Sequence, residues 1–115
     1  MAAVATRPAV RRVSMTPTGQ DRGKQLECAT YLLLRRRFGD VSYWRGTGEV
    51  DFVVNAGRSP VPVQVSWEMA SERARRGVDE FHAAHPTALE PVFVTAESFA
   101  AGVPELAAAC ERDRH

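Results

Sequence analysis

The residues able to do chemistry lie in two short stretches. Glu49 and Asp51 alternate with valine in "EVDFVVN", residues 49–55, and Gln64 and Ser66 do the same in "VPVQVS", residues 61–66. Strand periodicity places Val50, Phe52 and Val54 on one face and Glu49, Asp51 and Val53 on the other. In the second stretch Val61, Val63 and Val65 oppose Gln64 and Ser66. A hairpin with its valine faces on the core therefore gathers Asp51, Gln64 and Ser66 on one side. Glu27 lies one turn inside a helical run, beside its apolar stripe, so a helix packed there brings Glu27 toward Asp51. Two carboxylates and an amide oxygen form a hard-oxygen set suited to magnesium or manganese. The same spacing also fits an Asp51 that caps backbone groups or pairs with an arginine at the sheet margin, and spacing does not separate the two.

Other motifs fail on their own terms. "GQDRGKQ", residues 19–25, pairs glycine with lysine, but three residues separate its glycines and Gln25 follows the lysine. A nucleotide-binding loop needs four residues there and Ser or Thr after the lysine, so no nucleotide is expected. His82, His85 and Asp79 lack the further convergent ligands of a zinc site, and the pair of histidines reads as a surface feature at a helix C-terminus. Ser14 and Ser66 have no histidine–acid partnership that would support serine hydrolysis.

The elements that must position these residues follow from periodicity and punctuation. From Gln20 to Phe38, Leu26, Ala29, Thr30, Leu33 and Leu34 recur at helical spacing, and Gly39-Asp40 ends the run. "VSYWR" (41–45), "EVDFVVN" and "VPVQVS" are strands divided by "GTG" and "AGRSP". Residues 70–84 form a helix ended by Pro86, "PVFVTAES" (91–98) a fourth strand, and Glu105 to Arg112 a last helix with Pro104 in its first turn. The expected order is αβββαβ, then a final helix: an α/β fold with a mixed four-stranded sheet flanked by helices. Residues 1–18 have no periodic apolar face and read as a flexible arm, leaving 19–115 as a single domain.

Bulk composition narrows the function classes. The 115 residues carry 15 basic and 14 acidic side chains, net charge +1, so nucleic-acid binding would have to come from a local patch. Lys24 is the only lysine, and a mechanism that needs one must use it. Cys28 and Cys110 are isolated, as reduced thiols would be. No apolar run reaches the length of a membrane span, and a cytoplasmic protein is expected.

The order of elements and their motifs resemble the PD-(D/E)XK nuclease fold, also called restriction-endonuclease-like. More narrowly, "GKQLECATYLLLRRR", "VSYWR", "GEVDFVV", "VPVQVS" and "PVFVT" are similar to a domain of unknown function found C-terminal to prokaryotic AAA+ ATPase modules. The resemblance runs from about Gly23 to Thr95. It implies that Glu27 is the helix carboxylate, Asp51 the central metal ligand and Gln64 the third ligand, with magnesium or manganese weakly bound. Cys28 stands where that domain has asparagine, Gln64 where it has glutamate, and Ser66 where it has lysine.

In an active member of this fold the metal activates a water and the lysine offsets charge on the phosphate. Removal of one such preorganised group typically costs roughly 10²–10³ in rate, about 3–4 kcal/mol. Lys24 lies one turn before Glu27, and Arg73 or Arg76 could supply charge, although an arginine stays protonated and is no general base. Two functions follow from the resemblance. One is a catalytically impaired module that binds nucleic acid or a protein, a separate ATPase among the partners. The other is an active metal-dependent DNA or RNA phosphodiesterase with a relocated cation.

Overall fold

The structure, a computed structural model, describes residues 11–12, 22–55 and 59–107. Its elements in chain order are β1 (Arg11–Arg12), α1 (Arg22–Phe38), β2 (Ser42–Arg45), β3 (Glu49–Val54), β4 (Val61–Val65), α2 (Glu72–Ala84), β5 (Val92–Val94) and α3 (Ala96–Ala100). The chain is an α/β protein: a mixed four-stranded sheet, β2 to β5, flanked by helices, with the two residues of β1 added at one edge. Pairing is antiparallel from β1 through β4, and β5 joins β4 in parallel. The parallel step needs a crossover, and α2 provides it. Among the described residues no helix is long and apolar enough to cross a membrane.

Local chemistry accounts for the element ends. Gly39 closes α1 at φ 80, its N–H donating to the Arg35 carbonyl, a conformation glycine adopts without a Cβ penalty. Ser71 starts α2 by accepting from the Ala74 N–H, so the helix begins two residues later than expected from residue 70. The expected fourth strand is also shorter. It stops at Val94 because Thr95 and Ser98 form a reciprocal capping box that starts α3 within the stretch read as strand. Pro104 opens a further helical turn through residue 107, and the rest of the expected last helix lies outside the described residues. Within the N-terminal stretch, Arg11 and Arg12 pair with Tyr43 and Ser42 at the sheet edge, while the remainder of that arm lies outside the described residues.

The sheet separates two apolar layers. On one side Leu26 and Leu34 of α1 pack with Phe52, Val54, Val61, Val63, Val92 and Val94. On the other, Val78 and Phe81 of α2 pack with Trp44, Val50 and Val53. Strict alternation would keep Val50 with Phe52 and Val54, and here the sequence expectation is corrected. Ser42 pairs with Val53 but Trp44 pairs with Val50, so Asp51 and Phe52 together oppose the single residue Tyr43. That is a β-bulge, and one extra residue rotates everything on its N-terminal side to the other face. Asp51 sits at the bulge.

Helix α2 approaches the sheet backbone closely at Gly77. A Cβ there would collide with the Glu49 carbonyl oxygen and stand 3.2 Å from Gln64 Nε2. Only glycine permits this contact.

Candidate functional site

The β3–β4 ladder pairs Val54 with Val61, Val53 with Pro62 and Phe52 with Val63, and its regular pairing ends there. Beyond that point side chains bridge the two strands. Gln64 is buried, and both ends of its amide are engaged: Oε1 accepts from the Asp51 N–H at 2.8 Å, while Nε2 donates to the Glu49 carbonyl at 2.8 Å and the Ala74 carbonyl at 2.9 Å. Three backbone groups on β3 and α2 thereby find partners inside the protein. The resemblance assigns this position to a metal-ligating carboxylate. A carboxylate has no N–H to give the two carbonyls, so the geometry requires an amide.

Asp51 returns the bridge. Its Oδ2 accepts from the Val65 N–H at 2.8 Å, across the same gap. Of the two sequence readings, backbone capping describes this contact, and among the described residues no arginine pairs with Asp51. Burial pushes its pKa up to about 6; the Val65 hydrogen bond opposes the rise, and the charges of Glu27 and Glu49 add to it. Glu27 thus does come near Asp51, as expected, and the two share a recess of about 340 Å³ with Lys24, Tyr43 and Glu49. Glu49 is itself paired with Arg45 at 3.5 Å.

Ser66 is not brought into this group. It follows the end of β4, its N–H donates to the Val94 carbonyl, and its hydroxyl donates to the Met69 carbonyl at 3.1 Å. It lines neither the Glu27 recess nor the smaller one, about 180 Å³, that Asp51 shares with Gln64, Ser71 and Arg73. Among the described residues no three His, Cys, Asp or Glu side chains converge to hold a metal ion, and Gln64 has both Nε2 hydrogens committed to carbonyls and one lone pair of Oε1 taken by the Asp51 N–H. His82 and His85 are also less superficial than their spacing suggests. His82 Nε2 lies 2.7 Å from the Leu89 carbonyl and the His85 ring stacks on Phe81 at 4.4 Å.

In the sequence "GTG" marks only a turn, and nothing in residue order distinguishes Glu80. In the structure the Glu80 carboxylate accepts from the N–H groups of Thr47 and Gly48, which hold its pKa below the ordinary glutamate value, Gly48 contributing most. Glu80 borders a third recess, about 480 Å³, with Arg73 and Arg76. Arg73 lines this recess and the one beside Asp51 and Gln64. The only sequence signal for the arrangement is the helical spacing of Arg73, Arg76 and Glu80, which puts them on one face.

No family model, curated protein or solved structure matches the chain.

Proposed function

We propose that the chain is a PD-(D/E)XK-like domain whose hydrolytic centre is closed and which binds nucleic acid without cutting it. The observation that carries this reading is the Gln64 amide. It acts as donor to two carbonyls and acceptor from one N–H, a role in which a ligating carboxylate cannot stand. The lysine expected beside it is replaced by Ser66, whose hydroxyl is turned to Met69. What remains suited to a phosphate backbone is positive charge along α2, where Arg73 joins two recesses and Arg76 follows one turn on.

The test is titration of labelled single-stranded and duplex DNA and RNA at low salt, with and without magnesium or manganese. Salt-sensitive binding with the oligonucleotide left intact is the expected result. A second reading has its own support, because Lys24 lines the recess that holds Glu27 and Asp51. In that reading the chain is an active metal-dependent phosphodiesterase with its cation supplied by Lys24. Metal-dependent cleavage abolished by Asp51→Ala and by Lys24→Ala would establish it and displace the first. A complete lack of nucleic-acid binding in every arm defeats both and leaves a protein partner, such as a separate ATPase, as the function to pursue.

A further inference from the structure

The turn between β2 and β3 carries an anion seat that the chain fills with its own carboxylate. Thr47 and Gly48 present consecutive N–H groups to Glu80, at 3.0 Å to Oε2 and 2.7 Å to Oε1. Successive backbone N–H groups in a turn form a concavity that takes anions. Glycine fits the turn at two close approaches: a Cβ at Gly46 would stand 2.6 Å from the Trp44 ring and 3.0 Å from Glu80 Oε2, and one at Gly48 would stand 3.2 Å from the Gly77 Cα. The seat opens on the recess walled by Arg73 and Arg76. Arg76 precedes Glu80 by four residues, a spacing at which helical arginine and glutamate commonly pair. Both Glu80 oxygens go to the turn instead, and neither the Arg73 nor the Arg76 side chain has an ion-pair or hydrogen-bond partner among the described residues. The recess is therefore lined by two guanidinium groups and one carboxylate, and that carboxylate is held by the turn.

We propose that this recess holds a phosphate of a nucleic-acid backbone, and that Glu80 is a tethered competitor for the same two N–H groups. The inference rests on the nucleic-acid-binding reading and names where the backbone is held. A phosphodiester oxygen accepts from Thr47 and Gly48 as the carboxylate does, and the arginines add forked donors and charge suited to phosphate. Displacing Glu80 also frees a carboxylate beside Arg76, its helical neighbour, so the released charge has a partner to meet. Arg73 then leads the backbone from the turn toward Gln64 and Asp51.

The experiment compares wild type, Glu80→Gln and the double variant Arg73→Ala/Arg76→Ala in equilibrium titrations of a labelled single-stranded DNA oligonucleotide over a range of salt, with inorganic phosphate as a second probe. Glu80→Gln keeps one acceptor oxygen for the turn and removes the charge, and thermal melting checks that it stays folded. It should tighten oligonucleotide binding about five-fold, the scale of one surface charge beside a phosphate. The arginine variant, altered at two exposed positions away from the core, should weaken binding and lower the slope of log affinity against log salt by about 0.7–1.4, at roughly 0.7 for each single-strand phosphate no longer neutralised. Oligonucleotide binding that neither variant alters overturns the seat and leaves the nucleic-acid reading standing. Binding by no variant overturns both. Capture of inorganic phosphate by Glu80→Gln, with no oligonucleotide bound, overturns the backbone assignment in favour of a small free anion. If Glu80→Gln does not fold, the arginine variant alone decides, because an unchanged salt slope refutes the seat.

Discussion

Asp51 and Glu80 are both carboxylates that end on backbone N–H groups, and their surroundings drive them in opposite directions. Asp51 holds one N–H, from Val65, in a half-buried bulge with Glu27 and Glu49 nearby, and its protonated form is favoured. Glu80 holds two N–H groups of an open turn, and its charged form is favoured. Hydrogen bonding to the carboxylate acts in the same sense at both. Desolvation and like charge decide the outcome at Asp51, and the second N–H together with access to water decides it at Glu80. The first region has the composition of a hard-oxygen cluster and the bonding of a structural joint. The second has the composition of a plain turn and the bonding of an anion site.

The largest way to break this contrast is to remove the joint. Gln64→Leu strands the Asp51 N–H and the Glu49 and Ala74 carbonyls, and should cost roughly 3–5 kcal/mol in chemical denaturation. A cost below about 1 kcal/mol would mean that the bridge contributes little and that Gln64 is free for another role. Asp51→Asn is next and should stabilise the protein by about 1–2 kcal/mol at pH 7. The sign follows from linkage. Folded Asp51 titrates at about 6 against an ordinary value of 3.8, so between these values the folded state binds more protons than the unfolded. Stability therefore falls as pH rises through that interval and levels off above it. The substituted amide would still offer an oxygen to the Val65 N–H and would lack this slope, which melting at pH 4 and pH 7 measures. Glu80→Gln should have the smallest effect and the opposite sense. A depressed carboxylate adds stability above its unfolded value that is lost as pH falls, and the variant should flatten only that acid limb.

Much of the framework was legible from residue order. The turns at "GTG" and "AGRSP", the valine-rich strands and the stop at Gly39 all carry local signals, and each element they mark is present. The bulge is different. Whether Asp51 is opposed by one residue or shares a partner depends on β2, and nothing in the β3 sequence alone records it. The role of Gln64 was hidden for a related reason. "VPVQV" alternates in polarity but not in burial, because helices cover both faces of β4 and a polar residue between valines is enclosed as deeply as they are. A buried amide and an exposed ligand read identically until the groups around them are known. At Thr95 the signal was available, since Thr and Ser three residues apart are cap residues, but the preceding "VFV" carried the strand reading past it.

The contact at Gly77 has a mechanical consequence. Ala74 lies three residues before it and Glu80 three residues after, each about 4.5 Å along the helix axis. The first leans on Gln64 and the second on the glycine turn, while Gly77 itself rests against the Glu49 backbone. The helix is thus a short beam on a fulcrum with a load at either end. Any tilt about Gly77 that lifts Glu80 from the turn presses the carbonyl of Ala74 toward the sheet by nearly the same distance. The joint and the seat share one lever, and a methyl group at the pivot would raise both ends together.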